Sequence, residues 1–180
     1  MIYQNLNLYK KKKRSIFEIY MLLTWNFIGK PLIGSFVPGT NWRKLILRIF
    51  GAKIGKGGKI KPYIRISEPW NLVIGDYCWL GENIWIDNLA LVSIGSRVCI
   101  SQEVYICTGN HNYKKKSFDL MLKSIIIEDD CWLAAKAIVA PGSILKQGSI
   151  ASMGSVVSGT LKSNGIYKGN PAKLLKYRYD

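Results

Sequence analysis

The chain is poor in histidine and in acidic residues. It holds one histidine in 180 residues, and 11 Asp and Glu against 26 Lys and Arg give a formal net charge of +15. Its four cysteines form no CxxC pair, so we expect no metal site and a reduced, cytoplasmic protein. The positive field attracts anions, namely nucleic acid, an acidic membrane surface or phosphorylated small molecules. No helix-turn-helix, RNP or zinc-finger pattern supports nucleic acid among these.

Long hydrophobic runs are also missing. The longest uncharged apolar stretch near the N-terminus covers residues 19–29, which is 11 residues and too short to span a bilayer. A secretory signal is disfavoured because Glu18 interrupts the apolar part and no small-residue cleavage site follows. The chain is 48% hydrophobic, which suits one globular domain with a real core.

The most informative pattern is an aliphatic residue at every sixth position. Four runs have steps of six, and 14 of their 15 positions hold Ile, Leu or Val. The runs are Ile54, Ile60, Ile66; Ile74, Leu80, Ile86; Ile94, Ile100, Ile106; and Ile127, Leu133, Val139, Leu145, Ala151, Val157. Steps of eight separate the first three runs, as a short corner insertion would produce. A period of six fits neither a helix nor a simple strand, and it indicates a chain that makes a short strand, turns a corner and repeats.

The residues between the aliphatic positions are typical of tight corners. The position four after each aliphatic residue is small at most sites: Gly58, Cys78, Ala90, Val98, Cys131, Ala137, Ser143, Ser149 and Ser155. Cys78 and Cys131 are therefore interpreted as corner residues without a chemical role. Glycine directly follows the aliphatic residue at 55, 75, 81 and 95, where we expect unusual backbone dihedrals. Three faces of six residues predict about five stacked coils and a prism roughly 24 Å tall.

The two ends of the chain lack this spacing and are predicted to be helical. Residues 1–51 are expected to form an arm with helices over Ser15–Ile28 and Asn41–Phe50, separated by the region of Lys30-Pro31 and Pro38-Gly39. In the second helix, the apolar face holds Trp42, Leu45, Ile46, Ile49 and Phe50, with Arg43, Lys44 and Arg48 elsewhere. Residues 52–168 form the repeat domain, and Asn170-Pro171 predicts a short C-terminal helix within 169–180.

The ordered set of motifs resembles the hexapeptide-repeat acyltransferases over residues 50–178. The motifs are Ile94-Gly95, Thr108-Gly109-Asn110-His111-Asn112-Tyr113, Trp132-Leu133, Ala140-Pro141-Gly142, Gly154-Ser155-Val156-Val157 and Gly169-Asn170-Pro171-Ala172-Lys173. Leu47–Ala52, Pro69–Leu72 and Ile100–Gln102 are closest to the colanic-acid-biosynthesis acetyltransferase branch. The resemblance implies a left-handed parallel β-helix, a homotrimer with active sites between subunits, and acetyl-CoA as co-substrate. It also implies O-acetylation of a saccharide in capsule, exopolysaccharide or lipopolysaccharide synthesis.

His111 is the candidate general base. An imidazole with an ordinary pKa near 6.5 suits proton removal from a hydroxyl, and the residue begins the one long break in the repeat, at about 109–125. Long structureless insertions in compact folds are often functional. The group that orients the ring stays open among Asp119, Asp87, Glu103 and a backbone carbonyl. Cys107, four residues earlier, raises the alternative of a covalent acetyl-cysteine.

The resemblance also implies residues for the two substrates. Ala135 and Met153 would flank the pantetheine arm of coenzyme A, and Ser158 would lie at the next such place. Lys173 and Lys176 would approach the nucleotide phosphates. For the acceptor we name Asp87, Asn88 and Asp119, although Asn88 also fits a corner amide that satisfies a turn.

The sequence leaves other functions open. These are N-acetylation of an amino sugar or another small acceptor, and a non-catalytic β-helix scaffold. A γ-class carbonic anhydrase, which uses the same fold, is excluded because it needs three histidines. The basic run Lys10–Arg14 and the apolar residues after it fit a cap on the prism or a neighbouring subunit, or peripheral contact with an anionic membrane.

Overall fold

In the part of the chain that the structure describes, twenty short strands follow an N-terminal helical arm. The structure, a computed structural model, describes residues 3–10 and 13–179; two lysines of the basic run, Lys11 and Lys12, lie outside these ranges. The helices are α1 (Ile16–Thr24), a π-helical segment (Trp25–Gly29), α2 (Lys30–Ile33) and α3 (Asn41–Ile49), with 3-10 turns at Leu6–Leu8 and Pro69–Asn71. In chain order the strands are β1 (Lys53–Ile54), β2 (Lys59–Ile60), β3 (Arg65–Ile66), β4 (Leu72–Ile74), β5 (Trp79–Leu80), β6 (Trp85–Asp87), β7 (Val92–Ile94), β8 (Cys99–Ile100), β9 (Tyr105–Cys107), β10 (Gly109–His111), β11 (Leu120–Leu122), β12 (Ile125–Ile127), β13 (Trp132–Leu133), β14 (Ile138–Val139), β15 (Ile144–Leu145), β16 (Ile150–Ala151), β17 (Val156–Val157), β18 (Thr160–Leu161), β19 (Gly165–Lys168) and β20 (Lys173–Tyr177).

The strands form a parallel β-helix with three faces. Face A contains β1, β4, β7, β12, β15 and β18; face B contains β2, β5, β8, β13, β16, β19 and β20; face C contains β3, β6, β9, β14 and β17. The chain visits the faces in the order A, B, C, so each coil has a B–C corner and a C–A corner. Within each face, the strands of successive coils pair in parallel. Their aliphatic residues are in register, as in Ile74↔Ile94 and Ile94↔Ile127.

The six-residue repeat correctly predicts the interior. Of the 15 aliphatic positions, 14 are buried and Ile54, in the first coil, is half-buried against the core. In each coil, the aliphatic residues of the three faces pack against one another. They also pack against the aliphatic residues of the coils above and below. This stack is the hydrophobic core of the β-helix, and Cys78 and Cys131 fill corners within it as expected.

The expectation for the glycines that follow the aliphatic residues was wrong. Positive φ values occur two residues later, at positions such as Tyr77 (58°) and Arg97 (57°), whereas Gly81 is not among the residues with positive φ. A Cβ on Gly81 would lie 2.6 Å from the backbone nitrogen of Gln102 on the next coil. Glycine is therefore required there by the close approach of stacked backbones, and the turn itself is made by the later residue.

The structure has about six coils where the repeat predicts about five. The additional strands β18 and β19 bury Leu161 and Tyr167. Leu161 follows Val157 by four residues instead of six, so it falls outside the periodic count. The corner between them is shortened at Gly159, which has a φ of 88°.

The break in the repeat at 109–125 is a β-hairpin rather than a structureless insertion. Strands β10 and β11 are antiparallel, with Gly109↔Leu122, Asn110↔Met121 and His111↔Leu120 in register. The hairpin leaves the β-helix after β9 and returns at β12, so it projects from the C–A corner. A paired ladder fixes the direction of its side chains, which a flexible loop would not do.

The predicted C-terminal helix within 169–180 is wrong. Residues Lys173–Tyr177 form β20, which pairs antiparallel with β19 at the end of face B. The open edge of β19 offers backbone N–H and C=O groups that need hydrogen-bond partners. Pairing with this edge stabilises a strand more than the Asn170-Pro171 pattern stabilises a helix.

The N-terminal arm departs from the expected helices in two places. Ser15 caps α1 in a capping box with Glu18. The break between the helices includes the expected Pro38-Gly39, but Lys30-Pro31 does not interrupt the first helical segment. A π-helical turn, with the Lys30 N–H donating to the Trp25 carbonyl, carries the helix on to Ile33.

Helix α3 buries a face centred on Leu47 rather than the one predicted, although Ile46 and Phe50 of the predicted face also pack against the core. Arg43, Lys44 and Leu47 are buried, whereas Leu45 and Ile49 are exposed. The Arg43 guanidinium donates to the carbonyl of Ile33 at 2.9 Å and to those of Ser35, Val37 and Gly39. A buried cation is stable only when its donors are satisfied in this way.

The residues before α1 lie along the C–A corner, and we call residues 3–10 and 13–14 the strap. The Asn5 N–H donates to the Lys116 carbonyl of the hairpin at 2.8 Å. Further along, the Arg14 guanidinium pairs with buried Glu68. The strap therefore crosses from the hairpin to the first coils. Among the described residues, no helix has both the length and the apolar character needed to cross a bilayer.

Candidate active site

The hairpin holds His111 in one orientation. Its Nδ1 atom lies 2.7 Å from the carbonyl oxygen of Phe118. A carbonyl oxygen only accepts hydrogen bonds, so Nδ1 carries the proton and Nε2 keeps a lone pair. The lone pair at Nε2 is what a general base requires.

Two aromatic rings flank the imidazole. The Phe118 ring stacks on it with centroids 4.3 Å apart and an interplanar angle of 4°. The Tyr9 ring of the strap lies 6.0 Å away and is tilted by 54°. The backbone of Phe118 has a φ of 49°, a strained value for an aromatic residue, and this conformation accompanies the carbonyl contact with Nδ1.

None of the three candidate carboxylates orients the imidazole through Nδ1. Asp119 is engaged with Lys115 at 3.2 Å, and hydrogen bonds from Ser117 and Lys115 lower the pKa of Asp119. Glu103 lies 3.6 Å from Lys136 on the B–C corner. The backbone carbonyl, the fourth alternative from the sequence, makes the contact instead.

Asp87 lies at the same corner as the hairpin. It ends β6 and is in register with Cys107, the last residue of β9 before the hairpin. Its carboxylate accepts hydrogen bonds from Ser67 at 2.8 Å and from the Tyr105 hydroxyl at 3.4 Å. Burial raises the pKa of Tyr105, so the phenol stays protonated and donates to Asp87.

Asn88 is also at this corner, but its amide serves the fold. The side chain is fully buried, its Oδ1 accepts from the N–H groups of Ser67 and Glu68, and its Nδ2 donates to the Glu68 carbonyl at 2.6 Å. This is the corner-amide role that the sequence left open. The role of Asn88 in acceptor binding is not supported, because the amide points into the turn.

Cys107 is close to the hairpin without contacting the imidazole through a hydrogen bond. Its thiol donates to the Gly109 carbonyl at 3.3 Å. A nucleophilic cysteine needs a base within hydrogen-bond reach, and the described structure shows no such contact between Cys107 and His111. The geometry therefore favours direct use of His111.

A groove runs along face B beside the B–C corner. Its upper part has a volume of about 450 Å³ and is lined by apolar side chains that include Trp132, Ala135 and Met153. Its lower part, of about 320 Å³, shares Ser101 and Gln102 with the upper part. This groove holds two of the five residues named for coenzyme A.

Lys173 and Lys176 lie at the C-terminal end of the same face. Both are on β20, and Lys176 is in register with Ile166, which lines the groove. The two side chains are exposed, so their ammonium groups are accessible to phosphates. Four of the five residues named for coenzyme A therefore share one face.

Ser158 lies elsewhere, at the C–A corner. It lines a smaller cavity of about 260 Å³ together with Asn110 and Met121 of the hairpin, Lys123, Ala140 and Pro141. The hairpin that carries His111 is thus near Ser158, and the groove with Ala135 and Met153 is at another corner of the triangular cross-section. One chain does not bring the two sets together.

The chain is similar over most of its length to several curated relatives. The putative colanic acid biosynthesis acetyltransferase WcaF of Escherichia coli (strain K12) is 39% identical over 139 residues, covering 77% of this chain and 76% of the relative. The chain belongs to the hexapeptide-repeat acetyltransferases. Nodulation protein L of Rhizobium leguminosarum bv. viciae is 34% identical over 136 residues, covering 74% of this chain and 71% of the relative. No protein-family model matches the chain.

A solved structure confirms the fold of this acetyltransferase. A hexapeptide-repeat acetyltransferase of Vibrio cholerae O1 biovar eltor, complexed with acetyl coenzyme A, superposes with a TM-score of 0.84 at 20% identity, covering 97% of this chain and 96% of the other. The parallel β-helix predicted from the repeat is therefore the fold of known members of the family.

Sequence reasoning missed two residues of the site. Phe118 carries no local signal, because its role depends on the hairpin register that places it beside the ring. Tyr9 lies 102 positions before His111 and reaches it only through the path of the strap. A structureless insertion, as expected from the sequence, would have given neither contact.

Proposed function

We propose that this acetyltransferase transfers the acetyl group of acetyl-CoA to a hydroxyl of a saccharide, with His111 as the general base. The observation that carries the proposal is the contact between Nδ1 of His111 and the Phe118 carbonyl, which leaves Nε2 ready to accept a proton. The relative from Escherichia coli is named for colanic acid biosynthesis, which supports an exopolysaccharide or capsule precursor as acceptor.

The groove on face B fits a coenzyme A donor. Its apolar lining at Trp132, Ala135 and Met153 suits a slender pantetheine arm, and the lysines of β20 at its end suit phosphates. Met153 is exposed and larger than the alanine often found in the family, so it narrows the groove. Ser158 would contact the donor from the corner that carries the hairpin.

The chemistry at His111 is a single proton shuttle. The acceptor oxygen attacks the thioester carbonyl carbon while its proton passes to Nε2, and the imidazolium is stabilised by the Phe118 carbonyl at Nδ1. The new C–O bond forms, the C–S bond breaks, and the proton passes from Nε2 to the departing thiolate. Asp87, half-buried at the same corner, would hold an acceptor hydroxyl.

A trimer would complete the site. His111 and the donor groove lie at different corners of a triangular cross-section, so a second copy has to bring its groove to the hairpin of the first. The same contact repeated by a three-fold rotation closes a ring in which every copy uses both corners once. The separation of the two residue sets within one chain supports this assembly.

The test compares His111→Ala with Tyr113→Ala, an exposed residue of the same hairpin. Thiol release from acetyl-CoA is measured with candidate saccharides, and the product is examined by mass spectrometry and NMR. We expect a rate lower by about 10²- to 10⁴-fold for His111→Ala and little change for Tyr113→Ala. Full activity of a folded His111→Ala variant contradicts the role of the base, and an amide product contradicts O-acetylation.

A further inference from the structure

Helix α1 exposes several large apolar side chains to solvent. None of the residues of α1 is fully buried, and its Ile16 and Phe17 are 88% and 70% exposed. Phe27, in the π-helical segment that follows, is 78% exposed. A helix on the surface of a globular protein normally hides one apolar stripe against the core. Large exposed apolar patches of this kind mark sites of interaction.

Exposed lysines occur on the strap, which leads into this helix, and on the hairpin that the strap contacts. Lys10 and Lys13 of the strap are exposed, and so are Lys114 and Lys116 at the hairpin tip. The hydrogen bond from Asn5 to the Lys116 carbonyl holds the strap against the hairpin, so the four lysines belong to one surface. None of the four forms a salt bridge with another residue of the described ranges.

The strap fixes the helix close to His111. Tyr9, which contacts the imidazole, is six positions before Ser15, which caps α1. A chain of that length spans at most about 20 Å. The Arg14 pair with buried Glu68 anchors the strap between these two points.

We propose that α1 and the four lysines dock the enzyme on an anionic membrane surface. Apolar side chains would enter the boundary between headgroups and acyl chains, and the lysines would meet the lipid phosphates. A second copy bound to α1 across a two-fold axis is the poorer occupant, because its own four lysines would face these four.

Docking has a consequence for the acceptor, and this consequence rests on the proposed function. Since the strap ties α1 to the imidazole, His111 lies near the membrane when α1 is bound. A saccharide carried on a lipid would reach His111 there, and the donor groove that meets it would come from the second copy of the proposed trimer.

The experiment is sedimentation of the full chain with phosphatidylcholine vesicles, with and without phosphatidylglycerol, at low and near-physiological salt. The test pair is Lys13→Ser with Lys116→Ser, and the matched pair is Lys162→Ser with Lys168→Ser, two exposed lysines of the last coil. We expect binding to the anionic vesicles only, weakened about fivefold for each lysine removed in the test pair and little changed in the matched pair. A second variant, Ile16→Ser with Phe17→Ser, is expected to lose binding while the fold is kept.

The proposal is overturned if the unaltered chain does not sediment with anionic vesicles at low salt, or if both lysine pairs weaken binding equally. It is also overturned if Ile16→Ser with Phe17→Ser lowers the molecular mass in light scattering and leaves vesicle binding intact, because a second copy then covers the helix. No acetyl donor or acceptor is needed for these measurements. A chain that binds vesicles and transfers no acetyl group contradicts the proposed function and leaves the docking in place.

Discussion

The imidazole of His111 and the ring of Phe118 stack with their centroids 4.3 Å apart, while the carbonyl of Phe118 lies 2.7 Å from Nδ1. One residue thus controls both the tilt and the tautomer of the candidate base. The carbonyl belongs to the backbone, so only the ring can be removed by substitution.

Phe118→Ala is expected to lower kcat by about fivefold, because an aromatic pair contributes about 1 kcal/mol to holding the ring. Phe118→Tyr keeps the stack and is the control. The measurement is thiol release across the pH range in which histidine titrates, with the acidic limb of the profile compared between the two variants. A profile and rate unchanged in Phe118→Ala would show that the stack does not position His111.

Cys107→Ser is expected to retain most of the activity. The thiol donates to the Gly109 carbonyl, and a serine hydroxyl can replace that hydrogen bond. Thiol release is the first measurement, and intact-protein mass spectrometry after incubation with acetyl-CoA is the second. A large loss of rate together with an acetyl adduct that is absent in Cys107→Ser would favour the covalent route.

The stacked core allows a matched test of stability within a single strand. Ile127 of β12 is 1% exposed and points inward, whereas Ile126 is 41% exposed and points outward. Ile127→Ala is expected to lower the free energy of unfolding by about 2 to 5 kcal/mol. Ile126→Ala serves as the control and should cost much less. Urea denaturation measures both, and equal losses would contradict the assignment of the inward face.

Acid is expected to weaken the corner at Asp130. A hydrogen bond from Arg97, at 2.6 Å, lowers the pKa of Asp130. A carboxyl with a lowered folded pKa stabilises the fold above its unfolded pKa of about 3.9, and this contribution is lost as the pH falls through the folded pKa. Arg97→Met should therefore flatten the fall in stability below about pH 4. Lys162→Met is the control, because it removes the same charge elsewhere. Equal slopes of the free energy of unfolding against pH for the two variants would argue against the pairing of Arg97 with Asp130.

The interior could be predicted from the sequence because a six-residue period leaves few alternatives. Ile127 and its counterparts are spaced by the geometry of the coil, and 14 of 15 such positions are buried. His111 could be named because it is the single imidazole and begins the break in the repeat.

The remaining features depend on contacts between distant segments. Arg43 is buried because its guanidinium donates to four carbonyls of residues 33–39. The pattern of apolar residues in the helix does not predict this burial. Tyr9 reaches His111 through the path of the strap. The C-terminal residues form a strand because β19 presents a free edge, which is a property of the assembled sheet and not of residues 169–180.

That last strand also determines where the β-helix stops. Because β20 runs against the direction of every other strand of face B, another copy stacked on that face would meet a ladder of the wrong polarity. A parallel stack of identical coils is otherwise open to end-to-end growth into fibres. Five reversed residues therefore make this end of face B a poor template for a parallel β-helix stacked along the same axis.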